Sequence, residues 1–101
     1  MILPQPFSVE ICTWQQQQQR LTDIRVCVFV DEQKVPAEII VDGEDPTAVH
    51  VLARDAGGTV IGAGRMVLQQ PRPRIGRMAV LRPWRRAGVG AALLGTLCDE
   101  A

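Results

Sequence analysis

Apolar positions change their period several times along this chain, and each change marks an element. Phe7, Val9 and Ile11 alternate with Ser8, Glu10 and Cys12, the period of a half-buried strand. Thr13 followed by Gln16 has the form of a capping box, which predicts a helix from Trp14 or Gln15. Gln15 to Gln19 are good helix formers and read as its solvated face. Leu21, Ile24 and Val28 continue at helical spacing, although Val26 to Val30 is rich in strand formers. A helix ending before Pro36 is expected. Strands follow at Val49–Arg54 and Val60–Leu68, joined by the turn Ala56-Gly57-Gly58-Thr59. Gly62 and Gly64 interrupt the second of these, as at a bulge or a close backbone approach. A stiff loop from Gln69 to Arg74 leads into a buried strand, Ile75 to Leu81, which Pro83 ends. Ala91, Ala92, Leu93, Leu94 and Leu97 then give a last helix its apolar face. The order predicts an α+β fold: an antiparallel sheet of about four strands with helices packed on it.

Between that strand and that helix lies Arg85-Arg86-Ala87-Gly88-Val89-Gly90. A helix start leaves its first N–H groups unpaired and carries partial positive charge, and glycines let a phosphate approach those groups closely. Arg85 and Arg86 add mobile charge, so the loop suits a phosphorylated ligand. A nucleoside-triphosphate loop is excluded because Ala91 and Ala92 stand where Lys and Ser or Thr are required. A dinucleotide loop is excluded because Leu93 stands at the third glycine. The remaining pattern, R-x-x-G-x-G after a strand, resembles the pyrophosphate loop of the GNAT acyltransferases.

Upstream segments extend that resemblance to a small subgroup of GNAT acetyltransferases. Arg25 through Val28-Phe29 to Glu32-Gln33 is similar to the subgroup's R-x-x-V-F-x-x-E-Q, and Glu38 to Asp45 to its acidic E-x-x-x-D-x-x-D loop. His50-Val51-Leu52-Ala53, Ile61 to Arg65 and Ile75 to Val80 follow in the family's order. The resemblance runs from about residue 7 to the end and implies the first part of a three-layer GNAT fold. It implies acetyl-CoA as co-substrate and direct attack on its thioester by a primary amine of a small molecule or peptide. The backbone of Met78, Ala79 and Val80 would bond the pantetheine arm and acetyl carbonyl, with the pyrophosphate on Arg85, Arg86, Ala87, Gly88, Val89, Gly90 and Ala91. Phe29 and Glu32 would face the acceptor. Glu32 is also the available carboxylate for a catalytic base, beside its plainer reading as a helix-end residue. The family's usual acid is a tyrosine, and this chain has none.

Composition bounds the alternatives. The chain has 101 residues, 47% hydrophobic and 22% charged, which suits one globular domain spanning 1–101. Family domains run to roughly 140 residues or more, a single-domain length, so the resemblance implies that a C-terminal part is missing. The strand Ile75 to Leu81 would then be an exposed edge, open to self-association, and the chain alone marginally stable with little activity. A non-catalytic coenzyme A-binding or interaction module is the alternative reading. With neither a basic start followed by a long apolar region nor a membrane-length apolar run, a cytoplasmic location is expected.

Formal charge is zero, yet residues 1 to 50 hold eight acids against three bases, and residues 51 to 98 eight arginines against Asp55. The back half suits an anion such as coenzyme A; the acidic front half suits an amine, or simply solvates loops. Aromatic residues are too scarce, two Trp and two Phe, to favour nucleic-acid binding. No metal is implied, since a calcium loop read from Asp42 fails at Thr47 and Ala53. Cys12, Cys27 and Cys98 read as buried free thiols, and a nucleophilic Cys98 has no histidine near it in sequence. His50 opens a strand and reads as a hydrogen-bonded structural group rather than a base.

Overall fold

The computed structural model describes residues 6–69 and 71–100. Residues 1–5, Gln70 in the loop between the last two strands, and residue 101 lie outside that description. Four strands form one antiparallel sheet in sequence order: β1 (Phe7–Cys12), β2 (Val49–Asp55), β3 (Val60–Val67) and β4 (Arg74–Val80). Helix α1 (Trp14–Arg25) covers one face and α2 (Val89–Glu100) the other. The α+β, three-layer expectation holds.

Alternation along β2 assigns the faces. Leu52 points to the α1 side with Leu21, Ile24, Val28, Ala63 and Ala79. Val51 and Ala53 point to the α2 side with Ile61, Met66, Val89, Leu93 and Leu97. The buried stripe of α2 is therefore Val89, Leu93 and Leu97, one residue every fourth position. Leu94, expected inside, is exposed, and Ala91 and Ala92 are not buried. Composition alone could not distinguish these neighbours, because the phase of the stripe depends on where the helix starts.

Thr13 caps α1 as expected, its side chain accepting from Gln16 N at 3.2 Å. Helix continues past Arg25, but Val26–Glu32 winds as a π-helix. Gln33 N donates to Val28 O at 3.1 Å, five residues back, and Lys34 closes the segment at φ 62°. The conflict between helical spacing and β-branched composition is resolved here by a wider turn, which changes the faces that Phe29 and Glu32 present.

Both glycines of β3 mark close approach. A Cβ on Gly62 would lie 3.0 Å from Val89 and 3.1 Å from Leu93, and one on Gly64 2.5 Å from Met78 Sδ. Opposite Gly64, β4 carries an extra residue: Ala63 pairs with Ala79 but Arg65 with Gly76, leaving Arg77 and Met78 in a bulge. Arg77 holds the left-handed backbone of that bulge at φ 52°. Because β4 is an edge, only Ala79 of this strand is buried, and the expectation of a wholly buried strand is corrected.

Candidate functional site

Beyond Val80 the chain leaves the sheet, with Leu81 N still donating to Ile61 O at 2.9 Å. Arg82–Trp84 makes a single 3-10 turn, held to β1 by an edge-to-face contact between Trp84 and Phe7 at 6.3 Å. Arg86 and Gly88 then take positive φ, 67° and 89°, which turn the backbone into α2 at Val89. Ala92 N donates to Gly88 O at 3.0 Å, the first bond of the helix. Among the described residues the N–H groups of Gly88, Val89, Gly90 and Ala91 have no acceptor. Four donors with the positive end of the helix behind them make a surface chemically suited to an anion.

The two loop glycines differ in cause. Gly88 is required by its φ of 89°. Gly90 has no positive φ, and the nearest atom to a Cβ there is Val80 Cγ2 at 4.0 Å. Nothing in the chain requires its glycine, although glycine inside a helix costs about 0.5–1 kcal/mol. Gly95, further along α2, is equally open, but only Gly90 lies among the unpaired donors. The volume that a side chain would fill at Gly90 is available to a phosphate, so these residues fit one.

Arg85 is tied locally. Its Nε donates to Val80 O at 3.1 Å, and its Nη1 pairs with the carboxylate of Glu32. Arg82 Nη2 stands 3.7 Å from the same carboxylate. The hydrogen bond from Arg85, with the charges of both arginines, holds the Glu32 carboxyl below its usual range against the opposing effect of burial. Of the two residues expected to face an acceptor, Glu32 thus faces Arg82 and Arg85, at the loop before α2. Phe29 lines a cleft of about 320 Å³ with Gln33, Val35, Ile40, Arg77 and Met78. A second cleft, about 380 Å³, is lined by Asp23, Ile24, Cys27, Val60 and Leu81 among others.

Three acids of the acidic loop are paired with arginines, while Glu38 is exposed. Asp45, fully buried, accepts from Arg25 at 2.9 and 3.0 Å and from Arg65 at 3.0 Å. Asp42 accepts from Arg65 at 2.7 and 2.9 Å and from Arg77 at 3.0 Å, and Glu44 from Arg74 at 2.9 Å. Burial works to raise the Asp45 carboxyl, but the guanidiniums and the Asp42 N–H outweigh it and its pKa falls; Arg65 likewise depresses Asp42. The acidic excess of residues 1 to 50 is thus partly neutralised within the fold, Asp42 and Glu44 by arginines of the other half and Asp45 by Arg25 as well as Arg65. Sequence reading took the charges segment by segment and missed pairs separated by 20 to 35 residues.

His50 is fully buried, its Nε2 donating to Asp45 O at 2.8 Å, in the structural role expected. Of the cysteines only Cys12 is buried, its thiol pushed up to about 11 mainly by burial. Cys27 and Cys98 are exposed, contrary to expectation, because neither projects onto the buried stripe of its helix. Among the described residues no three His, Cys, Asp or Glu side chains cluster as metal ligands, and no helix is long and apolar enough to cross a membrane.

Residues 9–101 match the model of the acetyltransferase (GNAT) family. The uncharacterized N-acetyltransferase YjcF of Bacillus subtilis is 36% identical over 74 residues, 73% of this chain and 52% of that protein. The chain therefore spans about half the length of this curated relative. Escherichia coli ElaA superposes with a TM-score of 0.79 at 25% identity, over 92% of this chain and 67% of that one. An acyl-CoA N-acyltransferase from Pseudomonas aeruginosa gives a TM-score of 0.79 at 23% identity, over 95% and 70% of the two chains.

Proposed function

This chain belongs to the acetyltransferase (GNAT) family, and from that premise we propose that it carries the acetyl-CoA side of an N-acetyltransferase acting on a primary amine by direct attack. The observation that carries this reading is the run of four unpaired N–H groups, Gly88 to Ala91, directly after an edge strand. Those donors hold the pyrophosphate, and Arg85 and Arg86 add charge from the loop. Met78, Ala79 and Val80 supply the backbone edge along which the pantetheine arm lies. When bound, acetyl-CoA supplies the activated acyl group.

The chain's own residues prepare the site in two ways. Asp42 and Ile39 O hold the Arg77 guanidinium, each at 3.0 Å, and so keep the bulge that sets the direction of Met78. Glu32 holds Arg85 beside the loop; its lowered pKa suits this anchoring better than proton abstraction at neutral pH. We place the reaction in the cytoplasm.

Calorimetric titration with acetyl-CoA, followed by thiol release in the presence of a mixed amine panel, tests the proposal. Saturable binding and amine-dependent thiol release are expected. Binding no stronger than that of phosphate-free pantetheine would overturn it.

A further inference from the structure

The cleft beside Met78 carries information about the acceptor. At about 320 Å³ it lies near the lower end of the roughly 300–1,000 Å³ typical of ligand clefts. Phe29, Val35, Ile40 and Met78 make apolar walls, and Gln33 and Arg77 are its polar members. No carboxylate lines it, and Asp42, Asp45 and Glu44 are each engaged by arginines. A polycationic acceptor would find no carboxylate in the lining of this cleft.

Arg77 offers the opposite. Its Nη2 is occupied by Ile39 O and Asp42, but among the described residues Nη1 makes no hydrogen bond and Nε is buried without a partner. The Arg77 side chain is 27% exposed, so its free Nη1 can meet an acceptor supplied by a ligand. Its backbone, at φ 52°, is one that glycine holds more readily, so the side chain is what this position contributes. Arg77 also directly precedes Met78, the start of the proposed acyl-binding edge. An acceptor anchored on Arg77 must hold its amine close to its anchoring group. In an α-amino acid that separation, nitrogen to carboxylate carbon, is about 2.5 Å.

We propose that the acceptor is an α-amino carboxylate with an apolar side chain, the carboxylate on Arg77, the side chain against Phe29, Val35 and Ile40, and Gln33 as a further polar contact. This rests on the acetyl-transfer reading above. The amine nitrogen forms the bond to the thioester carbonyl carbon of acetyl-CoA, and the C–S bond breaks with its electron pair on sulfur. The proton lost by nitrogen passes through solvent to sulfur, leaving an N-acetyl amino acid and free coenzyme A.

Titrating the full chain with L-phenylalanine, phenethylamine and spermidine, while following the Arg77 Nε–H and Gln33 side-chain amide by NMR, tests this directly. L-phenylalanine should shift both signals and bind at least about tenfold more tightly than phenethylamine, which lacks the carboxylate. Arg77→Lys should remove that preference, and Gln33→Leu, which leaves the bulge contacts intact, should weaken L-phenylalanine. Equal or tighter binding of phenethylamine or spermidine, shifts confined to the cleft beside Cys27, or no response to L-phenylalanine would overturn the proposal. A parallel coenzyme A titration separates the two readings. Shifts at Gly88 to Ala91 with none at Arg77 would leave acetyl transfer standing and sink only the acceptor class.

Discussion

Asp45 lies fully buried between Arg25, itself 1% exposed, and Arg65. Asp45→Asn removes the charge that both guanidiniums face, and breaking a buried pair in this way costs about 3–5 kcal/mol. Urea unfolding of the variant should show that loss. His50 adds a pH dependence. Burial, with the charges of Arg25 and Arg65, holds its imidazole below the ordinary 6.5, so the folded chain prefers it neutral. The unfolded chain takes up that proton below 6.5, so the His50 contribution is complete above this pH and lost as pH falls. Asp42 and Asp45 are depressed from 3.8, so their contribution is complete above 3.8 and lost as pH falls through their folded values. Thermal midpoints should therefore decline in two phases on acidification, and His50→Gln should flatten the first. The structural role of His50 was legible from its place at a strand start. The partners of Asp45 were not, because Arg25 and Arg65 come from a helix and a strand 20 residues away on either side.

Helix α2 shows what pattern reading reaches and what it misses. Its start near Gly88 was legible from loop chemistry, while its buried phase required the β3 surface that Gly62 opens. Gly62→Ala places a Cβ 3.0 Å from Val89, 3.1 Å from Leu93 and 3.3 Å from Ala79 O. It should destabilise by about 1–3 kcal/mol, as overpacking does, measured as a lower denaturation midpoint. Gly90→Ala meets nothing nearer than 4.0 Å and removes a glycine from the first turn of the helix. Stability should rise by up to about 1 kcal/mol while coenzyme A affinity falls. A loss of stability at Gly90 would mean that the glycine serves the fold rather than a ligand. The π-helical winding of Val26–Glu32 was foreshadowed only as a conflict between spacing and β-branching; neither signal specifies a five-residue hydrogen bond.

At the scale of the molecule, an antiparallel sheet with helices packed on it was legible from element order, and three layers from the family resemblance; β2, β3 and β4, joined by short connections, pair as neighbours. Charge was less legible: the apparent division into acidic and basic halves is largely cancelled where Asp42, Glu44 and Asp45 meet Arg65, Arg74 and Arg77. Strand β4 has a partner on one side only, and such an edge is a template for another strand. Sedimentation of the 101-residue chain should therefore show association that grows with concentration. The central claim is that the start of α2 holds a phosphorylated ligand. Following backbone amides by NMR during a coenzyme A titration tests it most directly, with pantetheine as the phosphate-free control and Arg85→Ala as the variant. Coenzyme A, and not pantetheine, should shift Gly88, Val89, Gly90 and Ala91, and Arg85→Ala should weaken it roughly ten- to a hundredfold. Equal shifts with pantetheine, or an affinity unchanged in Arg85→Ala with those four amides silent, would contradict it.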